Sequence, residues 1–210
     1  MSRTIPIPSF AEESKLQGEG YQLIAGIDEV GRGALAGPVV AAAVILPHHI
    51  DSPWLYQVKD SKELSPQKRQ LLSHHIHQEA LAVGIGVASH EVIDTKGIIR
   101  ATRQAMKLAV ERLEPQPQSL LIDYIPLPEV KLPQQAVPDG DSRCLSIACA
   151  SIIAKVARDQ LMVELDRAYP GYGLAQHKGY GTEEHFSCLK MLGPSPIHRQ
   201  SFRLIKGNEA

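Results

Sequence analysis

Two adjacent acidic residues at the end of an apolar segment constrain this sequence more than any other feature. Residues 21–27 form an apolar run, and Asp28 and Glu29 follow it directly. Two charges at the end of a buried strand are costly unless they have partners, and a bound cation would offset that cost. The next residues, Gly31-Arg32-Gly33, contain glycines that let the backbone approach a ligand closely. The segment therefore indicates a site for a cation and a ligand.

Composition restricts the class of protein. With 210 residues, 43% of them hydrophobic and 21% charged, the chain can form one substantial core, as soluble globular proteins do. A net charge of −1 means that any nucleic-acid binding must depend on local basic patches. The three cysteines, Cys144, Cys149 and Cys188, contain no C-x-x-C spacing and are expected to be free thiols in a reducing compartment. No run is long enough to cross a bilayer, and we expect a cytoplasmic protein that does not contact the membrane.

The order of apolar runs and helix signals predicts an α/β sheet with helices on its faces. Strands are expected at residues 21–28, 39–46, 81–88, 119–123 and 135–137. Helices are expected at residues 67–80, 95–113, 143–168 and 182–192. The glycine-rich turn after the first strand favours an antiparallel pair with the second, and the helical crossover from the third to the fourth strand favours parallel neighbours. Residues 1–19 are expected to be a poorly ordered lead-in.

Two further carboxylates follow the same pattern as the first pair. Asp123 ends the fourth strand, and Asp141 precedes the long helix. If the first and fourth strands are parallel neighbours, Asp28 and Asp123 can reach a common ion, and oxygen ligands suit Mg²⁺ or Mn²⁺. Taken singly, Asp141 could be only a helix cap and Asp123 only a strand-end residue in water. Because neighbouring strand residues point to opposite faces, Asp28 and Glu29 can share one cleft only if the chain bends near Gly31 or if Glu29 reaches around.

Basic residues are concentrated towards the end of the sequence. The bases of this region are Lys178, Lys190, Arg199, Arg203 and Lys206. Together with Lys62, Lys155 and Arg158 they could line a groove for a phosphate backbone, although an ordinary solvated face is the alternative. His198, beside Arg199, is a further candidate for substrate contact. Asp159 continues an apolar stripe of the long helix, which predicts a salt bridge to Arg158 or another base, or else a further site acid.

A series of motifs resembles bacterial type 2 ribonucleases H, the ribonuclease HII family. The matching segments are GIDEVGRG at 26–33, AGP at 36–38, DSKEL at 60–64, LID at 121–123, GDS at 140–142, ASIIAKVARD at 150–159, HKGYGT at 177–182 and PSPIHR at 194–199. The resemblance implies a ribonuclease H-like mixed five-stranded sheet flanked by helices, with a small C-terminal helical extension. It divides the chain into a lead-in at 1–19, a catalytic domain at 20–169 and a substrate-contacting part at 170–210.

The same resemblance implies an activity. The expected enzyme is a metal-dependent endonuclease that hydrolyses the RNA strand of RNA·DNA hybrids and cuts at ribonucleotides embedded in duplex DNA, leaving a 5′-phosphate and a 3′-hydroxyl. It would remove misincorporated ribonucleotides and RNA primers. Its cofactor would be Mn²⁺ or Mg²⁺, with two ions during catalysis, and a monomer is expected. Two alternatives stay open: a nuclease of similar architecture that cuts all-DNA substrates, and a non-catalytic binder of RNA-containing duplexes.

The resemblance also assigns roles to individual residues. The catalytic and metal-binding set is Asp28, Glu29, Asp123 and Asp141. Substrate binding falls to Gly31, Arg32 and Gly33, which would sense the 2′-hydroxyl, and to Tyr180, which would stack on the sugar at the RNA–DNA junction. The local excess of bases, and not the resemblance, adds Lys62, Lys178 and Arg199 as candidates for substrate binding. One departure is visible, because Tyr124 follows Asp123 where the family usually has glycine. A local change of backbone after Asp123 is therefore expected.

Overall fold

The structure is a computed structural model that describes residues 7–202. Within that range the strands are β1 (Ile24–Val30), β2 (Val39–Ile45), β3 (Ala82–Ala88), β4 (Ser119–Asp123) and β5 (Gln134–Val137). The helices are α1 (Ala11–Gly18), α2 (Pro66–Glu79), α3 (His90–Lys96), α4 (Ile98–Glu111), α5 (Gly140–Arg143), α6 (Leu145–Ala168), α7 (Leu174–His177) and α8 (Glu183–Leu192). The bases Arg203 and Lys206 lie outside the described residues.

The five strands form one mixed sheet in the order β3-β2-β1-β4-β5. β1 pairs with β2 antiparallel, as predicted, and with β4 parallel, which meets the condition for Asp28 and Asp123 to reach a common ion. The expected adjacency of the third and fourth strands is wrong. β3 pairs along its whole length with β2, which leaves the free edge of β1 as the place where β4 adds to the sheet.

Helices cover both faces of the sheet. On one face, alternate side chains of β1 and β2 pack with α4 through residues such as Ile27, Ala105 and Met106. On the other face, Ala42 and Val44 pack with α2 and with the first half of α6. The predicted α/β sheet with helices on its faces is therefore confirmed.

The buried start of α6 lies directly against β1. A Cβ atom added to Gly26 would stand 2.2 Å from the carbonyl carbon of Ser146, so only glycine permits this approach. Residues 145–154 of α6 are all buried. This contact fixes the long helix beside the strand that carries Asp28 and Glu29.

The N-terminal segment differs from its prediction. Residues 11–18 form α1, so the expectation of a poorly ordered lead-in is wrong for them. The helix is held by Glu13, which is 3% exposed and whose Oε1 accepts hydrogen bonds from the Ser146 N–H at 2.8 Å and the Ser146 Oγ at 2.6 Å. The helix itself has no amphipathic pattern that would have revealed it, and its anchor lies 133 residues away in the sequence.

Other boundaries differ where a glycine or a turn interrupts a helical pattern. The helix expected at 95–113 is two helices, because Gly97 has φ +80° and ends α3 before α4 begins. The short helices α5 and α7 have no counterpart among the predictions. All three cysteines are free, as expected.

The last described helices pack on the far end of α6. Leu174 and Leu189 form an apolar cluster with Met162 and with Leu35, which follows the glycine turn after β1. Ala36 forms an antiparallel bridge with His198. The C-terminal residues are thus held beside the turn at Gly31. No helix among residues 7–202 is long and apolar enough to cross a membrane.

Candidate active site

A pocket of about 480 Å³ opens at the carboxyl ends of β1 and β4. The predicted acids all line it: Asp28, Glu29, Asp123 and Asp141. Five of the predicted substrate-binding residues also line it: Gly31, Arg32, Gly33, Lys62 and Tyr180. The structure therefore brings together nine of the eleven residues singled out from the sequence.

The register of β1 and β4 explains why two of these acids are neighbours. Ile27 pairs with Ile122 in the parallel ladder, so Asp28 and Asp123 each come one residue later on adjacent strands. The N–H of Gly140 donates to Asp123 Oδ1 at 2.8 Å and fixes that carboxylate. The same contact places α5, and with it Asp141, at the rim of the pocket. Asp141 lies in the first turn of α5, and no side-chain cap is present on that helix.

Glu29 lines the same pocket as Asp28, and a tight turn follows directly after β1. Gly31 has φ +93°, a conformation that favours glycine, and the chain reverses there. The reversal carries Arg32 back to Glu29, whose Oε1 accepts from Arg32 Nη1 at 3.2 Å. The Glu29 N–H donates to Asp28 Oδ1 at 2.7 Å. The chain does bend at Gly31, as one of the two alternatives requires, but the bend follows β1, and Asp28 and Glu29 both stay in the β1–β2 ladder.

The first pair of carboxyl groups, Asp28 and Glu29, is difficult to ionise in the folded protein. Burial raises the pKa of Asp28 well above its ordinary value, and the charges of Glu29 and Asp123 raise it further. Burial also raises the pKa of Glu29, although the Arg32 guanidinium partly opposes this. Both groups therefore resist ionisation unless positive charge is added to the pocket.

The second pair of carboxyl groups, Asp123 and Asp141, also has raised pKa values. Burial raises the pKa of Asp123, against the hydrogen bond from Gly140. Burial and then the charge of Asp60 raise the pKa of Asp141. Lys62 Nζ lies 3.6 Å from Asp141 Oδ2 and 3.7 Å from Asp60 Oδ2. Burial lowers the pKa of Lys62, but the surrounding carboxylates outweigh that effect and raise it.

The donor set fits a hard divalent cation. All four acids offer oxygen, the type of ligand that Mg²⁺ and Mn²⁺ prefer. Glu29 Oε2 is buried and has no hydrogen-bond partner, which is costly for a charged oxygen. Among residues 7–202 no three His, Cys, Asp or Glu side chains already form a metal-ligand cluster, so binding would require the carboxylates to turn toward a common point.

Two serines beside Asp28 were not identified from the sequence. The Ser151 hydroxyl group on α6 lowers the pKa of Asp28 against the effect of burial. The Ser151 Oγ also lies 2.9 Å from the Ser61 Oγ. A polar residue in the otherwise apolar segment 147–154 of α6 is the signal that could have revealed this contact.

The structure contradicts the prediction that Arg199 contacts the substrate. The Arg199 side chain is fully buried and donates to the carbonyl oxygens of Gly31, Arg32 and Gly37. A guanidinium group that has no exposed surface, and whose three nitrogens each donate to a backbone carbonyl, cannot reach a phosphate. The basic character of the sequence around it gave no indication of burial.

Two other expectations are corrected, and one is confirmed. His198 is 1% exposed and its ring nitrogens contact His185 and Ser195, so the expected contact with substrate is wrong. Lys178 does not line the pocket, and its Nζ donates to the carbonyl of Ala175. Asp159 lies outside the pocket and pairs with Lys155 at 2.6 Å and with Arg69 at 3.7 Å, which confirms the salt bridge.

Tyr124 keeps the backbone conformation that glycine would adopt. Its φ is +58°, in the left-handed region, and its side chain is 69% exposed. Asp123 stays in the β4 ladder opposite Val137. The expected change of local backbone after Asp123, relative to the family, stays a prediction.

Relatives of known sequence match nearly the whole chain. The family model described as Ribonuclease HII matches residues 25–205. A ribonuclease HII from Dehalococcoides mccartyi is 55% identical over 207 residues, which cover 99% of this chain and 98% of that protein.

Two solved structures have the same fold. The ribonuclease H2 from Pyrococcus horikoshii OT3 superposes with a TM-score of 0.72 at 24% identity, covering 87% of this chain and 94% of that one. The Bst ribonuclease HIII, solved in complex with Mn²⁺, gives a TM-score of 0.64 at 23% identity over 88% of this chain and 68% of that one. The expected ribonuclease H-like fold is confirmed.

Proposed function

Because the chain belongs to the ribonuclease HII family of endoribonucleases, which act on RNA·DNA hybrids, we propose that it also cuts at ribonucleotides embedded in duplex DNA. The cut leaves a 5′-phosphate and a 3′-hydroxyl. In the cytoplasm this activity removes misincorporated ribonucleotides and RNA primers. Its partners are RNA·DNA hybrids and duplex DNA that contains ribonucleotides, and the enzyme acts as a monomer.

One observation carries this proposal: four carboxyl groups and the turn Gly31-Arg32-Gly33 line a single pocket. An enzyme that distinguishes RNA from DNA must contact the 2′-hydroxyl. A glycine-containing turn offers backbone groups to that hydroxyl at close range. Tyr180, in the wall of the same pocket, offers a flat ring to the neighbouring sugar or base.

The acids Asp28, Glu29, Asp123 and Asp141 would hold divalent ions, Mn²⁺ or Mg²⁺. When bound, two such ions supply an activated water and stabilise charge on the leaving 3′-oxygen. The side chains themselves contribute negative charge that repels a phosphate, which is why a non-catalytic binder is disfavoured. Arg32 and Lys62 are placed to offset part of that repulsion, since each faces an acid of the set.

Substitution of the paired strand-end acids tests the proposal. Asp28→Asn and Asp123→Asn should fold and should lose cleavage of a DNA duplex with one ribonucleotide by at least about 100-fold, because each loses a charged ligand. Rates are measured in Mn²⁺ and Mg²⁺, with an all-DNA duplex as the negative substrate. Asp51→Asn, which makes the same change at an exposed loop position, is the matched control. Full activity of either pocket variant would refute the site assignment.

A further inference from the structure

The carbonyl groups of the glycine turn are held from inside the protein. Arg199 Nη2 donates to the Gly31 carbonyl at 2.7 Å, and Arg199 Nη1 donates to the Arg32 carbonyl at 2.8 Å. Its Nε donates to the Gly37 carbonyl at 3.0 Å, which closes the other end of the loop. One planar guanidinium thus fixes three peptide groups at once.

Peptide geometry then fixes the direction of two amide groups. In a planar trans peptide the C=O and the following N–H point in opposite directions. Since the carbonyls of Gly31 and Arg32 point at Arg199, the N–H groups of Arg32 and Gly33 point away from it. Both residues line the pocket, and no atom of residues 7–202 accepts a hydrogen bond from either amide. The turn therefore presents two unused donors.

Holding the turn with Arg199 requires a charged side chain to be buried, which costs free energy. Its side chain has no exposed surface, and a buried charge is costly unless it is well partnered. The guanidinium lies over the Phe202 ring at 5.1 Å, which restricts it to one orientation. An arrangement of this kind orients the backbone more sharply than an apolar side chain could, because every hydrogen bond is directional.

We infer that Arg199 is a positioning residue for ribonucleotide specificity, which turns the N–H groups of Arg32 and Gly33 toward the ribose 2′-oxygen. This inference rests on the proposed function, and it replaces the expectation that Arg199 binds phosphate. The two roles differ in a measurable way. A phosphate contact strengthens binding to every duplex and adds to the salt dependence, whereas a positioning residue affects only the substrate that carries the 2′-hydroxyl.

Arg199→Lys is the first variant to test. A lysine keeps the charge but cannot meet three carbonyls in one plane. We expect kcat/KM on a duplex with one ribonucleotide to fall at least tenfold, while the Kd for an all-DNA duplex and its salt dependence change less than twofold. Arg69→Lys is the matched control, because Arg69 is also buried and also donates to two carbonyls, those of Ser61 and Leu64. Ser61 lines the pocket as well, but neither carbonyl belongs to the glycine turn. Arg69→Lys should lower the melting temperature without this selective loss.

Three outcomes would overturn the inference. They are an unchanged ribonucleotide rate in Arg199→Lys, an equal loss in Arg69→Lys, or weaker all-DNA binding with a smaller salt dependence. Failure of the wild-type chain to cut the ribonucleotide duplex would instead refute the proposed function.

A second measurement uses the wild-type chain and needs no variant. In EDTA, the ¹H–¹⁵N resonances of Arg32 and Gly33 should shift when a duplex with one ribonucleotide is added, and should not shift with an all-DNA duplex of the same sequence. Equal shifts with both duplexes, or none with either, would contradict the direction inferred for these amides.

Discussion

At the scale of single residues, backbone strain lies immediately beside one of the proposed metal ligands. Tyr124 adopts φ +58°, which an L-residue with a Cβ atom tolerates at a cost of about 1–2 kcal/mol. Its ring is mostly exposed and adds little packing in return. Asp123 remains in its ladder, so the tyrosine changes the stability of the turn and leaves the carboxylate in place.

Tyr124→Gly should therefore raise the free energy of unfolding by about 0.5–1 kcal/mol, the relief of strain less the extra entropy of glycine in the unfolded chain. Cleavage should stay within about twofold of the wild-type rate. Urea denaturation and the single-ribonucleotide assay measure the two effects. Tyr56→Gly is the control, because Tyr56 is also exposed but does not have a positive φ, and it should lose stability. A loss in both variants would contradict the strain argument.

At the scale of elements, α1 supplies a cap that α6 lacks. The residue before α6, Cys144, makes no side-chain capping bond, and Glu13 accepts instead from the N–H and hydroxyl of Ser146 in the first turn. The carboxylate also lies at the positive end of the helix dipole. A segment remote in sequence thus anchors the helix that packs against β1.

Glu13→Ala should destabilise the fold by about 1–3 kcal/mol, because it leaves the buried N–H of Ser146 without an acceptor. Glu13→Gln keeps an acceptor oxygen and should recover most of the loss. Glu12→Ala is the control at the next position, where the salt bridge with Arg143 is partly exposed, and it should cost under about 1 kcal/mol. Thermal and urea unfolding of the three variants test whether Glu13 caps α6. Equal effects at both positions would rule out the capping role.

Elements with their own signals could be predicted from the sequence, and those that depend on remote contacts could not. The strand that carries Asp28 and the helix that starts after Ser65 are local patterns, and both are found, although the strand spans Ile24–Val30 where residues 21–28 were expected. The order of strands in the sheet depends on which edge of β1 is free to pair with β4. No local sequence pattern indicates that edge. α1 depends on Ser146, and the burial of Arg199 depends on carbonyls more than 160 residues earlier.

At the scale of the whole molecule, the segment after β1 is hydrogen-bonded to residues near the end of the described range, and the site lies beside these contacts. The N–H of Leu35 donates to the Gly179 carbonyl at 2.7 Å, and that of Gly37 donates to the Ile197 carbonyl at 3.0 Å. Arg158 Nη1 donates to the Lys178 carbonyl at 2.9 Å, beside the Tyr180 ring. The pocket therefore exists only in the complete tertiary structure, although the acids that line it could be identified residue by residue.

The charge of the pocket sets how stability depends on pH. Asp28, Glu29, Asp123 and Asp141 all have a raised pKa in the folded state, so the unfolded chain loses these protons first. Their contribution to stability is fully present below the ordinary pKa of 3.8 for Asp and 4.5 for Glu, and is lost as pH rises through the folded values. At neutral pH, repulsion among these four carboxyl groups therefore lowers the free energy of unfolding of the metal-free protein.

Removing one of these charges should stabilise the metal-free protein. In EDTA at pH 7, Asp28→Asn should unfold at a higher temperature than the wild type. The difference should shrink as the pH falls, because the raised pKa of Asp28 lets the folded wild type take up the proton before the unfolded chain does. Asparagine keeps an oxygen to accept from the Glu29 N–H, so no buried donor is left unpaired.

Metal should reverse the order of the two proteins. Mn²⁺ at 100 times its Kd adds about 2.7 kcal/mol to the wild type by linkage, and much less to Asp28→Asn, which has lost a ligand charge. Melting curves in EDTA and in Mn²⁺, at pH 5 and pH 7, test both parts, with Asp51→Asn expected to follow the wild type throughout. If Mn²⁺ stabilised both proteins equally, the ion would be bound elsewhere. If Asp28→Asn were less stable than the wild type in EDTA, the repulsion between the carboxylates would not be what limits the metal-free fold.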